Sequence, residues 1–235
     1  MGMHELTPET LAALRDTDTP TVCNALEIAM GGRTSTGFTR QPVVCADPHL
    51  APVVGFARTA KIRAASPAEI PPDKVREIRL GYYEYVAAGP DPTVVVIEDT
   101  DWPQPVGAFW GEVNVAIHKG LGTAGAVTNG SLRDLGELDE GYQVVAGAVG
   151  PSHAFVHVTE TDCPVGVFGM SVEPGDLVHA DRHGAVVIPA RHFAAIAAAI
   201  DTVKRKERPI LEAARKPGFD IARLRAAWAE GEDVH

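Results

Sequence analysis

Thr93-Val94-Val95-Val96-Ile97-Glu98, followed by Gly107 to Lys119 and then by Thr123-Ala124-Gly125-Ala126-Val127-Thr128, is the stretch whose reading decides the fold. The first segment is a β-branched run closed by Asp99-Thr100-Asp101, which predicts a buried strand. The second predicts a helix closed by Gly120, and the third a strand before the turn pair Asn129-Gly130. A strand, a crossover helix and a second strand make a unit that lays its helix on a sheet. The chain is therefore expected to be α/β.

Outward from that unit, Thr7-Pro8 and Thr19-Pro20 each place a hydroxyl before a proline, and Gly31-Gly32 supplies a stop, so two short helices are expected first. Val53 to Arg63 reads as a strand and Pro71 to Ala88 as a helix. Further strands are expected at Val144-Val145, Phe155 to Thr159, Val165 to Phe168, Leu177 to His179 and Ala185 to Ile188. Ala190 to Ala214 has the alanine content of a long helix, and Phe219 to Ala229 suggests another. With no internal repeat and no low-complexity linker, residues 1–235 are read as a single domain.

Phe109-Trp110-Gly111-Glu112 and Gly130-Ser131-Leu132-Arg133-Asp134 carry the chemistry. An acid stands at the start of the predicted helix, and an Arg-Asp pair lies past the next strand. Between Glu112 and Arg133 lie 20 residues, enough for a helix, a turn and a strand, so the two segments are expected to converge at one end of a sheet. Arginine suits planar carboxylates or a keto oxygen, and aspartate suits a hard divalent cation. The expectation is an anion-and-metal site.

Glu112, the 20-residue spacer, Arg133-Asp134 and then Glu137 resemble the acid-X20-Arg-Asp-X2-acid signature of the class II pyruvate aldolases that act on 4-hydroxy-4-methyl-2-oxoglutarate and 4-carboxy-4-hydroxy-2-oxoadipate. The regulator of ribonuclease activity A shares that fold family. The likeness extends to Thr19-Pro20-Thr21-Val22-Cys23-Asn24-Ala25-Leu26, to Glu173 through Asp181, and to Gly184 through Pro189. It implies an α-β-β-α sandwich of the swivelling ββα type with N-terminal and C-terminal helices, assembled as a homotrimer or homohexamer. It also implies a metal-dependent lyase that cleaves 4-hydroxy-2-oxo acids to pyruvate and a second 2-oxo acid, with oxaloacetate decarboxylation through the same enolate. The alternative it carries is a noncatalytic regulator of a ribonuclease.

On matching positions, the resemblance makes Asp134 the direct ligand of Mg2+ or Mn2+. It puts Arg133 on the keto oxygen, Glu112 on metal-bound water, and the backbone amides of Gly111, Glu112, Val113 and Asn114 on the pyruvyl carboxylate. Unpaired N–H groups at a helix start account physically for that last role. Glu137 is either an acid behind the metal ligands or simply an early helical residue. Two positions depart from the family pattern: Glu112 stands where Asp is usual, and Asn114 replaces a typical leucine.

Composition narrows the function classes. A formal charge of -10 argues against nucleic acid and anionic lipid as partners, because both require a basic surface. Lys204-Arg205-Lys206 is interleaved with acids and reads as a solvated helix face. No run of about 18 apolar residues suggests a membrane span. The first residues lack a secretory pattern, and Cys23, Cys45 and Cys163 show no paired or metal-type spacing. Reduced thiols, a cytoplasmic location and a small-molecule 2-oxo acid substrate are expected.

Other polar groups have plainer readings. His179, Asp181 and His183 alternate in a way that suits a softer metal site, although the resemblance puts them in a turn between two strands. His118 shows no ligand spacing, and His153 with His157 reads as sheet decoration. Phe109 and Trp110 suit core or interface packing somewhat better than a pocket wall.

Overall fold

A computed structural model describes residues 6–232. In chain order its elements are α1 (Pro8–Arg15), α2 (Thr19–Met30), β1 (Val44–Cys45), β2 (Val53–Arg63), α3 (Pro72–Ala87), β3 (Thr93–Asp99), β4 (Ala108–Trp110) and α4 (Glu112–Gly120). There follow β5 (Thr123–Thr128), β6 (Ser131–Leu132), β7 (Gln143–Ala146), β8 (Ala148–Val149), β9 (His157–Thr161), β10 (Val165–Val167) and β11 (Met170–Val172). The last are β12 (Leu177–Asp181), β13 (Gly184–Ile188), a 3-10 turn (Ala190–His192), α5 (Phe193–Ala214) and α6 (Ile221–Glu232). The fold is mixed α/β with helices at both ends, and the chain divides into two compact units.

The first unit, Met1–Arg33 with Arg191–His235, is helical over its described residues, and within it α5 packs on α1, α2 and α6. Phe193, Ile196, Ala199, Ile200 and Val203 form the buried stripe of α5 at helical spacing. The Thr7 hydroxyl caps α1 by accepting from the Thr10 amide. For α2, Thr19 does not act as the expected cap. Asp18 does, its carboxylate accepting from the Thr21 amide at 3.1 Å, as acceptor caps of either chemistry are equally favoured. Gly31 ends α2 in the left-handed conformation (φ 71°).

The second unit, Thr34–Ala190, holds the sheets. Its main sheet runs β1-β7-β5-β3-β2-β12-β13, with β9 also paired to β2. The strands β2, β3, β5 and β7 are mutually parallel, and β3 lies between β2 and β5. The continuous β-branched run of β3 has the pattern of a strand covered on both faces. Val95 and Ile97 enter one apolar cluster, with Tyr82, Trp110 and Leu132, whereas Val94 and Val96 enter another, with Val127, Val167 and Met170. Alternate residues of one strand thus feed two cores.

A separate three-stranded parallel sheet, β4-β6-β8, corrects the expected helix over Gly107 to Lys119. Residues 108–110 are strand, and the helix starts only at Glu112. Ala108, Phe109 and Trp110 are all buried, and β4 pairs with β6, two satisfactions that a longer helix would forfeit. Smaller shifts occur elsewhere. The strand expected from Phe155 begins at His157, and the one expected to end at His179 runs to Asp181.

Candidate functional site

Parallel pairing of β4 with β6 brings the two sequence motifs together. Trp110 and Leu132 are register partners, so the residues that follow each strand emerge side by side: Gly111-Glu112 from one, Arg133-Asp134 from the other. The Arg133 amide donates to the Trp110 carbonyl at 2.9 Å. The Glu112 amide, first in α4, donates to Asp134 Oδ2 at 3.1 Å, and Arg133 Nε stands 3.5 Å from the same oxygen. The two segments thus converge, as the spacing leads one to expect, at the end of the small sheet.

Two backbone features make the approach work. Asp134 adopts a left-handed conformation (φ 57°), which Asp tolerates better than most residues, and it starts a turn in which the Glu137 amide donates to the Asp134 carbonyl at 3.0 Å. Gly111 has extended backbone, so its lack of a side chain serves space and not conformation. A Cβ there would lie 2.6 Å from Asp134 Oδ2 and 3.0 Å from Arg133 Cγ. Only glycine lets the pair close against the start of α4.

The amides of the first turn of α4 have no intrahelical carbonyl to receive them, and they carry the partial positive end of the helix dipole. Beside them opens a cavity of about 520 Å³. Gly111, Val113, Asn114 and Arg133 contribute to its wall, with Arg79 from α3 and His153 and His157 from the chain around β9. Glu112 and Asp134, the neighbours of Gly111 and Arg133, do not line it. The Glu112 and Glu137 side chains are exposed, and Val113 is 66% exposed.

Asn114 is buried, and its side chain is taken up by hydrogen bonds. Its Nδ2 donates to the Phe109 carbonyl, while its Oδ1 accepts from the Tyr83 hydroxyl at 2.7 Å and from Arg79 Nη2 at 3.4 Å. One turn further, His118 is fully buried, and burial pushes its imidazole down to about 4. A carbonyl only accepts, so Nδ1 must donate to the Asn114 carbonyl, and neutral Nε2 then accepts from the Tyr82 hydroxyl at 2.6 Å. His118 is therefore a strut that fixes α4 to α3. His153 and His157, expected as sheet decoration, both face the cavity.

The softer metal site weighed at His179, Asp181 and His183 does not form. His179 and Asp181 are buried in β12, and His183 closes a local turn, its Nδ1 at 3.1 Å from Asp181 Oδ1. Among the described residues no three His, Cys, Asp or Glu side chains gather as a metal cluster. Nor is any helix among them long and apolar enough to cross a membrane. Arg79 escaped sequence reasoning, as did the hydrogen bonds of the Asn114 side chain. The signal for Arg79 was its spacing of four from Tyr83 on α3, which by itself is ordinary helix-surface pairing.

The mixed α/β architecture with helices at both ends, carrying a guanidinium and a carboxylate at the start of a helix, defines the class of protein. The family model described as RraA-like, Aldolase/RraA, matches residues 19–187, and the chain belongs to that family. Among proteins of curated function, none matches. An uncharacterized protein of Pseudomonas syringae pv. tomato superposes with a TM-score of 0.68 at 22% identity, over 94% of this chain and 96% of the other. The Streptomyces coelicolor protein RraAS2, described as an unusual member of the RNase ES inhibitor RraA family, gives 0.65 at 24% identity, over 89% and 98%. A chain described as a novel cellulase from gut-associated microbes gives 0.71 at 18% identity, over 88% and 90%. At these identities the likeness shows the fold.

Proposed function

We propose that the chain is a divalent-metal-dependent carbon–carbon lyase that splits a 4-hydroxy-2-oxo acid into pyruvate and a second 2-oxo acid, and that also decarboxylates oxaloacetate. The observation that carries this reading is the junction of Asp134 Oδ2 with the Glu112 amide, with Arg133 alongside at the mouth of a cavity.

The donor set suits a hard ion. Asp134 Oδ2 is occupied by the Glu112 amide, while among the described residues Oδ1 has no hydrogen-bond partner and the side chain is 31% exposed. One carboxylate oxygen with room for water and substrate oxygens matches how Mg2+ or Mn2+ is held, and it gives too few protein ligands for a structural zinc site. Asp134 is the proposed ligand, Glu112 the acid that steadies water on the ion, and Glu137 an exposed acid nearby. When bound, the ion acts as a Lewis acid toward the substrate's carboxylate and keto oxygens.

The residues of the chain supply the rest. Breaking the C3–C4 bond passes the C4 hydroxyl proton to water, turns C4 into a carbonyl carbon and leaves an electron pair on C3, which spreads onto the 2-keto oxygen until C3 takes a proton from water to give pyruvate; loss of carbon dioxide from oxaloacetate leaves the same pair. Arg133 donates to that oxygen as its charge grows, an always-charged donor already oriented by its backbone bond to Trp110. The free amides at the start of α4 hold the pyruvyl carboxylate in place. A homotrimer or homohexamer is the assembly we propose for the working protein.

A second reading is favoured by the likeness to RraAS2: a noncatalytic protein that binds a ribonuclease. Pyruvate release from 4-hydroxy-2-oxo acids and oxaloacetate, with added Mg2+ and again with EDTA, separates the two. Metal-dependent release that is lost in Arg133→Ala supports the lyase. No release with any of these substrates, together with micromolar binding to a ribonuclease, supports the regulator.

A further inference from the structure

We infer that Arg79 is the specificity-determining residue of this cavity: a second guanidinium, held by Tyr83 and Asn114, that grips a carboxylate on the distal end of a 2-oxo acid. The inference rests on the proposed function for the placement of the substrate's first carboxylate at α4, but it concerns a different end of the ligand.

The cavity wall is strongly biased in charge. Arg79 and Arg133 both contribute to it, His153 and His157 add imidazoles, and among the described residues that form it there is no Asp or Glu. In a chain of formal charge -10, such a local absence of acid is informative. A monocarboxylate needs one anion anchor, which the α4 amides already provide while Arg133 serves the keto oxygen. A second guanidinium across the same cavity suits a second carboxylate.

Arg79 is also pre-oriented. Its Nε donates to the Tyr83 hydroxyl at 3.2 Å, and its Nη2 reaches Asn114 Oδ1 at 3.4 Å. The Tyr83 hydroxyl in turn donates to Asn114 Oδ1 at 2.7 Å, and Asn114 Nδ2 is anchored on the Phe109 carbonyl. This chain of bonds ties a long, flexible side chain to the helix that carries the first anion site. Three of the five guanidinium N–H groups are left for a ligand. A tethered arginine gives up less freedom on binding than a loose one, so its contact yields more affinity. The Asn114 that departs from the family pattern thus acquires a purpose. It is a positioning residue whose side chain aims Arg79 while its amide sits in the first turn of α4.

The test compares 2-oxoglutarate with 2-oxopentanoate, which has the same chain length and lacks the distal carboxylate. Binding of each to the full chain is measured by calorimetry in Mg2+, for the parent, Arg79→Gln, Arg79→Lys and Tyr83→Phe. The parent is expected to bind 2-oxoglutarate at least tenfold more tightly. Arg79→Gln should abolish that preference and leave 2-oxopentanoate affinity within twofold, Arg79→Lys should keep part of it, and Tyr83→Phe should reduce it by loosening the tether. With a turned-over dicarboxylate, Arg79→Gln should raise KM about tenfold and leave kcat within about twofold. An unchanged preference in Arg79→Gln, or equal parental affinity for the two acids, overturns the inference. Because the binding ratio needs no turnover, it stands as a test even if no lyase activity is found, and lyase activity without any preference would sink the Arg79 assignment alone.

Discussion

Replacing Gly111 with alanine isolates the geometry on which the site depends. The backbone at Gly111 is extended (φ -163°, ψ -177°), so alanine adopts it without strain, and only the added methyl matters. That methyl would stand 2.6 Å from Asp134 Oδ2, about 0.8 Å short of ordinary contact, with Arg133 Cγ at 3.0 Å and Nε at 3.1 Å. These are side-chain atoms of residues about one-third exposed, so they can move aside at modest energetic cost. A displacement near 1 Å of positioned groups costs on the order of 100-fold in rate, or about 2.7 kcal/mol at 1.36 kcal/mol per decade. Fold stability should fall by only about 1 kcal/mol, the scale of a lost helix cap. Gly111→Ala is therefore expected to melt within a few degrees of the parent, to release pyruvate about 100-fold more slowly, and to bind Mn2+ more weakly in calorimetry. A folded Gly111→Ala with parental rate and parental Mn2+ affinity would refute the argument.

Other expectations follow from the same structure. Asp134→Asn keeps a side chain that tolerates the left-handed backbone, so its melting temperature should hold while Mg2+-stimulated pyruvate release falls at least 100-fold. Arg133→Ala removes the donor to the keto oxygen, a change of roughly 2.7 to 4 kcal/mol in comparable sites, which turnover of the proposed substrates would reveal. His118→Phe leaves the buried Tyr82 hydroxyl without a partner, and denaturant titration should show a loss of about 1–3 kcal/mol. The pH dependence of unfolding carries two opposed signs. Burial lowers His118 to about 4 from 6.5, so its contribution is complete above 6.5 and is lost as pH falls toward 4, because the unfolded chain takes up the proton. Burial raises Asp99 from 3.8 to about 6, so its effect runs the other way: stability is lost as pH rises from 3.8 through 6. Asp99→Asn should thus stabilise the protein at pH 7 relative to pH 4.5, and an unchanged difference between those two pH values would count against a buried, reluctant carboxylate.

How much was legible in the sequence depended on whether a signal was local. The strands Val53–Arg63 and Thr123–Thr128 have the expected limits, the first opening after Pro52 and the second closing at the turn pair Asn129-Gly130. Glu112 does begin the helix, but the expected helix over Gly107 to Lys119 also takes in Ala108-Phe109-Trp110, a short apolar run that suits a strand or a helix until a pairing partner is known. That partner, Ser131–Leu132, lies more than 20 residues away. The same pairing brings the acid-bearing helix to the Arg-Asp pair, so the site was nameable as residues before it was visible as an arrangement.

The side of the cavity that faces α3 had no such signature. Arg79, Tyr83 and Asn114 are separated in the chain by 30 residues or more across the α3–α4 gap, and their hydrogen bonds exist only because the helices are locked by Tyr82 against His118. The amino-acid order by itself determined the elements, the chemical identities at Glu112, Arg133 and Asp134, and the likeness to a family, since each resides in contiguous residue types and spacings. Tertiary structure alone decided which oxygen of Asp134 stays open, why position 111 must be bare, and which second cation faces the cavity. Those are matters of a few tenths of an ångström between segments distant in sequence, and only packing sets such distances.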